Sequence, residues 1–167
     1  NLIDEGFDTA LRIGPLPDTG LIARRVGEVR RVVCAAPNYL EAHGTPKTPG
    51  DLAKHRIVAA AAVTPTEDWR FRGGRTVRVT PRFTVNAVEA AIEMARLGLG
   101  LTYVLSYQVA AAVAAGELEV LLAEYEPEPI PVQLIHAEGR TASAKLRAFL
   151  DHASPLLTAR LRQPGNG

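Results

Sequence analysis

The residues able to do chemistry in this chain are few, and their spacing limits what they can do. The four histidines, His43, His55, His136 and His152, stand far apart, and none has a His or Cys neighbour at i+2, i+3 or i+4. The local spacing of a zinc site is therefore absent. Cys34 is the single cysteine, which excludes a disulfide framework, a CxxC metal site and an intramolecular redox pair. Ser106, Ser143 and Ser154 each stand before an expected helix, where they read as caps, and none lies in a GxSxG elbow. Gly98-Leu-Gly100 follows an expected helix instead of opening one and lacks the third glycine of a dinucleotide fingerprint. No catalytic group, metal or cofactor is expected.

Binding chemistry is better represented. Asn86 opens the clearest helical pattern, where its amide, the free backbone N–H groups and the positive helix end suit a small anion such as a carboxylate. A plain helix cap is the alternative. Arg12 lies near the end of an expected strand beside the flexible Gly14 loop, and strand ends opening onto loops are where α/β sheets take ligands. An outward, solvated arginine is the alternative there. Thr64-Pro-Thr66 and Trp69 offer hydroxyls and an aromatic wall, or else a turn and one core tryptophan. Arg70, Arg72, Arg75, Arg78 and Arg82 read most simply as the wet face of a hairpin.

The elements that must position these groups follow from pattern. Phe7 to Ile13 reads as a largely buried strand, followed by a turn-rich loop from Gly14 to Gly20. Leu21 to Val26 and Val29 to Ala36 read as extended, broken at Gly27-Glu28. Pro37 to Gly44 has proline near its start and glycine past its end, the signature of a short helix. Thr48-Pro-Gly-Asp51 has the cap and N3 acid of another, ending near His55. Ile57 to Val63 and Phe83 to Val85 read as strands, and Trp69 to Val79 as a hairpin turning at Gly73-Gly74.

Asn86 and Glu89 make a capping-box pattern ahead of Val88, Ala91, Ile92, Ala95 and Leu99, which share a helical face that Gly98 ends. Leu99 to Leu105 is a short strand, Ser106 to Ala115 a helix stopped by Gly116. Leu118 to Leu122 and Val132 to Ala137 are strands on either side of a proline-rich loop. A terminal helix, capped by Ser143, presents Leu146, Phe149 and Leu150, and Pro155 is expected to bend or restart it with Ser154 as a new cap. The alternation favours an α/β architecture with a mostly parallel sheet.

Composition bounds the function. The chain has 167 residues, 19 Lys plus Arg against 18 Asp plus Glu, and a net charge of +1. That length makes one domain or two small lobes, and near-neutrality argues against a protein whose main work is gripping phosphate backbones. The longest apolar runs, Ile57 to Val63 and Val109 to Ala115, fall far short of the ~20 residues of a membrane helix. Lone-cysteine usage and the absence of a leader pattern favour a reducing, cytoplasmic compartment. The chain opens at Asn1 without Met, and Asn1 to Gly6 reads as the last turn of a helix, so a piece of a longer polypeptide is expected.

The order of segments carries more than any one motif. Leu2-Ile-Asp-Glu-Gly-Phe-Asp8, Ala10-Leu-Arg-Ile-Gly14, Leu21-Ile-Ala-Arg-Arg25 and Cys34-Ala-Ala-Pro-Asn-Tyr-Leu40 stand in sequence. His43-Gly44, Thr48-Pro49, Asp51-Leu52, His55, Trp69 and Phe71 follow, then the Asn86 helix, Gly98-Leu-Gly100 and Ala115-Gly-Glu-Leu118. Taken together this resembles the effector-binding (substrate-binding) domain of LysR-type transcriptional regulators. The resemblance implies a periplasmic-binding-protein-like type II α/β fold: two lobes joined by two crossover strands, with a small effector bound between them. Residues 1–33 and 134–167 would form the first lobe, lacking its opening strand–helix–strand portion, and residues 34–133 the second. A helix-turn-helix segment outside this chain would bind the promoter, and self-association as a dimer or tetramer would couple the two.

On that placement Arg12, Gly14, Thr64, Thr66, Asn86 and Ala87 are expected to line the effector site, with Arg12 or the Asn86 helix start holding an anionic group. Tyr103 and Val104 stand where Leu-Pro is common in the family, so Tyr103 is expected to shape the pocket. The other readings of such a fold are a transporter's solute-binding protein, which an export signal upstream would favour, and an enzyme, which would need the clustered catalytic group missing above.

Overall fold

The structure is a computed structural model that describes residues 7–16, 20–61, 67–137 and 144–161. The chain divides into two compact units, residues 1–29 with 129–167, and residues 30–128. The expected crossings lie a few residues further on, at 33/34 and 133/134. Strand pairing accounts for the difference: Arg31–Val33 pair inside the second unit, whereas Ile130–Gln133 pair inside the first.

The first unit is a three-stranded antiparallel sheet ordered β1 (Ala10–Ile13), β10 (Ile130–Ala137), β2 (Leu21–Val29), with helix α4 (Ala144–Leu161) against β2. Gly27 does not break β2. It sits at a bulge, where the register shifts between Val132 and Gln133, and a side chain there would collide with Leu161 of α4. Arg24 pairs with Asp151 at 2.9 Å, and the Thr158 hydroxyl donates to the Val26 carbonyl, fixing α4 along β2.

Two expectations fail in this unit. β1 is not buried: among the described residues it is an outer strand, with Leu11 about half exposed, and Phe7 before it more so. An apolar run cannot by itself distinguish a central strand from an outer one. Helix α4 continues through Pro155, and Ser154 lies inside it, donating its hydroxyl to the Leu150 carbonyl instead of capping a new start. Of the expected apolar face Leu146 and Leu150 are buried, while Phe149 is half exposed. The helix closing at Gly6 and the Ser143 cap lie outside the described residues.

The second unit is built on β3 (Arg31–Ala35), the centre of an antiparallel sheet flanked by β8 (Thr102–Leu105) and β9 (Glu119–Leu121). Alternation along β3 makes two cores. Val33 and Ala35 join Tyr39, Leu52, Trp69, Phe71, Leu101 and Tyr103 on one face, while Val32 and Cys34 join Ile92, Ala95, Val104 and Val109 on the other. The second face packs against α2 (Val88–Arg96) and α3 (Ser106–Ala114). β4 (Val58–Ala60) pairs in parallel with β7 (Phe83–Val85), and β5 (Asp68–Arg70) forms a hairpin with β6 (Thr76–Arg78). Gly73 and Gly74 both take positive φ (70° and 73°), as a primed turn requires.

Helix α1 (Pro37–His43) has proline in its first turn and ends at Gly44, φ 81°. The short 3-10 helix Pro49–Lys54 follows Thr48, whose N–H donates to the Asp51 carboxylate at 2.9 Å, a bond that helps hold Asp51 at about 2. Apart from β4 with β7 and a parallel bridge between Ile57 and Leu101, the described strands pair antiparallel, against the expected mostly parallel sheet. The reason is long-range: β10 runs back antiparallel to both β1 and β2, and β3 meets β8 and β9 head to tail, pairings between segments distant in sequence.

Candidate functional site

In the first unit, Arg12 is exposed on β1, its Nε–H donates to the Pro15 carbonyl at 3.1 Å, and it makes no ion pair among the described residues. Its guanidinium is a positive group held near the turn that follows the strand. Gly14, two residues on, takes φ 127°, a region that favours glycine. Its N–H donates to the Pro131 carbonyl at 2.9 Å, and its carbonyl accepts from the Gln133 side chain at 3.0 Å. Both polar groups of Gly14 are thus spent on β10, so its part is to turn the backbone beside Arg12.

In the second unit, β7 leads directly into α2. The residue that caps α2 is Ala87, extended at φ −128° and ψ 138°, with no side-chain cap bond. Asn86 therefore stands one position before the cap, exposed, and the Asn86–Glu89 capping box does not form. A cap needs its side chain one residue before the first helical φ/ψ, and helical spacing alone does not fix that position to a single residue. The first-turn N–H groups of α2 have no intrahelical acceptor. They keep their capacity for an anion, although Glu89 already brings one negative charge to that turn.

Tyr103 is placed otherwise than a pocket residue. It is buried in β8, its ring stacked on Trp69 at 4.8 Å and close to Phe71 at 6.1 Å, with the Arg31 guanidinium 5.4 Å from the ring centre. Its hydroxyl donates to the Arg70 carbonyl, and burial pushes it up to about 12. Trp69 is likewise core, not an exposed wall. The expected wet face of the hairpin matches: Arg70, Arg72, Arg75, Arg78 and Arg82 are all exposed. Thr64 and Thr66 lie outside the described residues. The candidates thus fall into two local pairs, Arg12 with Gly14 and Asn86 with Ala87, while Tyr103 belongs to the core.

Several other clusters bear on chemistry. Among the described residues no group of three or more His, Cys, Asp or Glu side chains could hold a metal ion, and no helix is long and apolar enough to cross a membrane. Cys34 is fully buried, which pushes its thiol up to about 12. An open groove of about 390 Å³ lies between the start of α1 and the end of α2, lined by Ala36, Pro37, Asn38, Glu93, Arg96, Leu97 and Glu117. Arg96 is already held there by Glu93 and by Glu117 at 2.7 Å, so among the described residues the groove presents no cation without an ion pair. Ser106 is the first residue of α3 and not its cap. Its hydroxyl accepts the Arg30 N–H at 3.1 Å. Arg30 also reaches Glu126, a pairing that no local motif announces.

Tyr39 organises a second polar cluster. Its hydroxyl oxygen accepts the Arg56 N–H at 2.9 Å and lies 3.3 Å from His55 Nδ1, while His43 stacks on its ring at 4.4 Å. With that oxygen accepting from Arg56, the phenol hydrogen can go to His55 Nδ1, which neutral imidazole allows and imidazolium does not. Burial, then repulsion from His43, holds the pKa of His55 below its ordinary value, with Asp51 opposing and Lys54 reinforcing. A lowered folded value means the stabilisation is present above the unfolded value of about 6.5 and is lost as pH falls through the folded one. Denaturant midpoints measured between about pH 7 and pH 5 should therefore fall less steeply in His55→Gln than in the parent. An identical slope would count against this account.

The fold around these residues is of the periplasmic-binding-protein-like type II α/β class. The regulatory domain of CrgA, a LysR-type transcriptional regulator from Neisseria meningitidis, superposes with a TM-score of 0.79 at 30% identity, over 93% of this chain and 78% of that one. The regulatory domain of AphB from Vibrio vulnificus gives 0.77 at 26% identity, over 91% and 76%. The model of the LysR substrate binding domain matches residues 1–157, and this chain belongs to that family. Among curated relatives, the HTH-type transcriptional activator AaeR of Escherichia coli strain K12 is 32% identical over 155 residues, 90% of this chain and 50% of that protein. The HTH-type regulator CrgA of Neisseria meningitidis is 32% identical over 154 residues, 90% and 52%. The chain spans about half the length of the curated relatives it matches. These relatives are transcriptional regulators, which disfavours the transporter and enzyme readings.

Proposed function

We propose that this chain is the effector-sensing part of a LysR-type transcription factor. It takes a small, anionic molecule, and the liganded state alters promoter binding by the helix-turn-helix segment of the whole regulator. The observation that carries this reading is the family match across residues 1–157, together with relatives that are named as regulators of transcription. The proposed anion-holding groups are the Arg12 guanidinium, positioned by the Gly14 turn, and the α2 N-terminus with Asn86 and the Ala87 backbone. Thr64 and Thr66 are proposed to add hydroxyls. A ligand shifts a conformational equilibrium only by its differential affinity for the two states, so these contacts must differ between them.

Self-association as a dimer or tetramer is part of the proposal. Its support is the β1–β10–β2 sheet, whose outer strands have no further strand partner among the described residues. A factor acting on promoters works where the DNA is, which supports a cytoplasmic location. The test begins with a thermal-shift screen of small carboxylates and phosphates, and calorimetry then compares the best binder on the parent, Arg12→Ala and Asn86→Ala. Loss of a charge-assisted hydrogen bond should weaken binding by about tenfold to a hundredfold for Arg12→Ala, and by less for Asn86→Ala. Unchanged affinity in both variants removes these residues from the site.

A further inference from the structure

The two stretches of chain that pass from one unit to the other do so at Val29–Arg30 and Glu128–Pro129. Pairing changes allegiance abruptly at the first. Val29 is opposite Ile130 in the β2–β10 ladder, whereas the Arg30 N–H donates to the Ser106 hydroxyl and its carbonyl accepts the Ser106 N–H at 2.8 Å. The second passage is short and stiff. Glu126 closes the 3-10 turn Ala123–Tyr125, Ile130 opens β10, and Pro127 and Pro129 fix φ at two of the three positions between.

One side-chain contact ties the two passages together. Arg30 Nη1 donates to both carboxylate oxygens of Glu126, at 2.9 and 2.8 Å, across 96 residues of sequence. The side chains are 23% and 10% exposed, and the Arg30 Nε–H is buried with no acceptor among the described residues. A pair held at that desolvation cost is a poor source of net stability, since well-packed apolar residues can do as well. What the pair supplies that apolar residues cannot is a fixed geometry between the two backbones.

We propose that the Arg30–Glu126 ion pair is a hinge staple: it locks both passages to the second unit, so that any relative motion of the units pivots at Val29–Arg30 and Glu128–Pro129 and nowhere deeper. Arg30 and Glu126 are positioning residues, and the proposal holds whatever the effector is.

The test uses this chain carrying spin labels on cysteines introduced at Leu156 in the first unit and Arg72 in the second, both exposed, while the buried Cys34 stays unlabelled. Pulsed electron resonance reads the distribution of label separations in the parent, in Glu126→Gln, and in the double variant Arg30→Met with Glu126→Leu. The double variant keeps the packing and the melting temperature but loses the tie, so its distribution should widen by about twofold with no loss of stability. A role confined to stability would move the melting temperature and leave the width alone. A folded double variant as narrow as the parent overturns the proposal.

Hydrogen exchange in the unmodified chain gives a second reading that needs no variant. The Arg30 and Ser106 amides should be as protected as those of Val32 and Val104. Exchange about tenfold faster at the first pair would mean the passage opens inside the second unit, and would overturn the proposal equally.

Discussion

Replacing Gly100 with alanine should destabilise the second unit by about 2–4 kcal/mol, read as a lower urea midpoint. The position leaves no room. A Cβ on Gly100 would stand well inside contact distance of the Arg56 carbonyl oxygen and only 2.9 Å from its carbonyl carbon. Backbone cannot give way there as a flexible side chain can. Leu101 N–H donates to the same Arg56 carbonyl at 2.9 Å, and Val58 N–H donates to the Leu101 carbonyl at 2.8 Å. Relieving the clash stretches both bonds, each worth about 0.5–1.5 kcal/mol, on top of an overpacking cost of about 1–3 kcal/mol. Against this, the entropic gain from removing a glycine is about 0.4–1 kcal/mol. Gly50→Ala is the matched control: its nearest non-neighbour atom is 3.7 Å from the added Cβ, and its effect should stay within about 0.5 kcal/mol. Equal midpoints for the two variants would refute the close-approach argument. The same contact sets β4 beside β8, and β4 carries β7, whose end delivers Asn86 and Ala87 to the start of α2.

Trp69→Ala should be costlier still, at about 3–5 kcal/mol, because it empties the space between the β5–β6 hairpin and β8. Trp69 is 2% exposed and stacks on Tyr103. A double-mutant cycle with Tyr103→Leu should return a coupling of about 0.5–1.5 kcal/mol for the ring pair beyond its buried area. Tyr103→Phe, which deletes only the hydroxyl bonded to the Arg70 carbonyl, should cost about 1 kcal/mol. Since Trp69 is the sole tryptophan, the measurement is circular dichroism against denaturant. A Trp69→Ala loss below about 1 kcal/mol would mean that the hairpin is held by something other than this aromatic stack.

Local sequence signals specify structure where the physics is local. Pro37 and Gly44 bound α1, Thr48 and Asp51 start the 3-10 turn, and Gly73-Gly74 turns the hairpin with both φ values positive, as their chemistry requires. They do not specify what depends on a distant partner. Whether Leu11 and Ile13 are buried depends on how many strands stand outside β1, and strand direction depends on where β10 returns. Ser106 reads as a cap until Arg30 is placed against it, and Ser154 until α4 is seen to run through Pro155.

The candidate site divides the same way. Arg12 beside a positive-φ Gly14, and Asn86 and Ala87 at a helix entry, are visible as local patterns. The placement of Tyr103 is not, because Trp69 and Arg31 reach it from two other strands. The Arg30–Glu126 pair has no local signature of any kind.

Cys34 lies on β3, the central strand of its sheet, with no exposed surface, and it is the chain's single thiol. Burial keeps alkylating reagents away from the sulfur, and by withholding solvation from the thiolate it also pushes the thiol up to about 12. Modification must therefore wait until the central sheet comes apart. The rate of native-state thiol trapping thus works as an internal clock for opening of the second unit, readable by mass spectrometry on minute samples without any added probe.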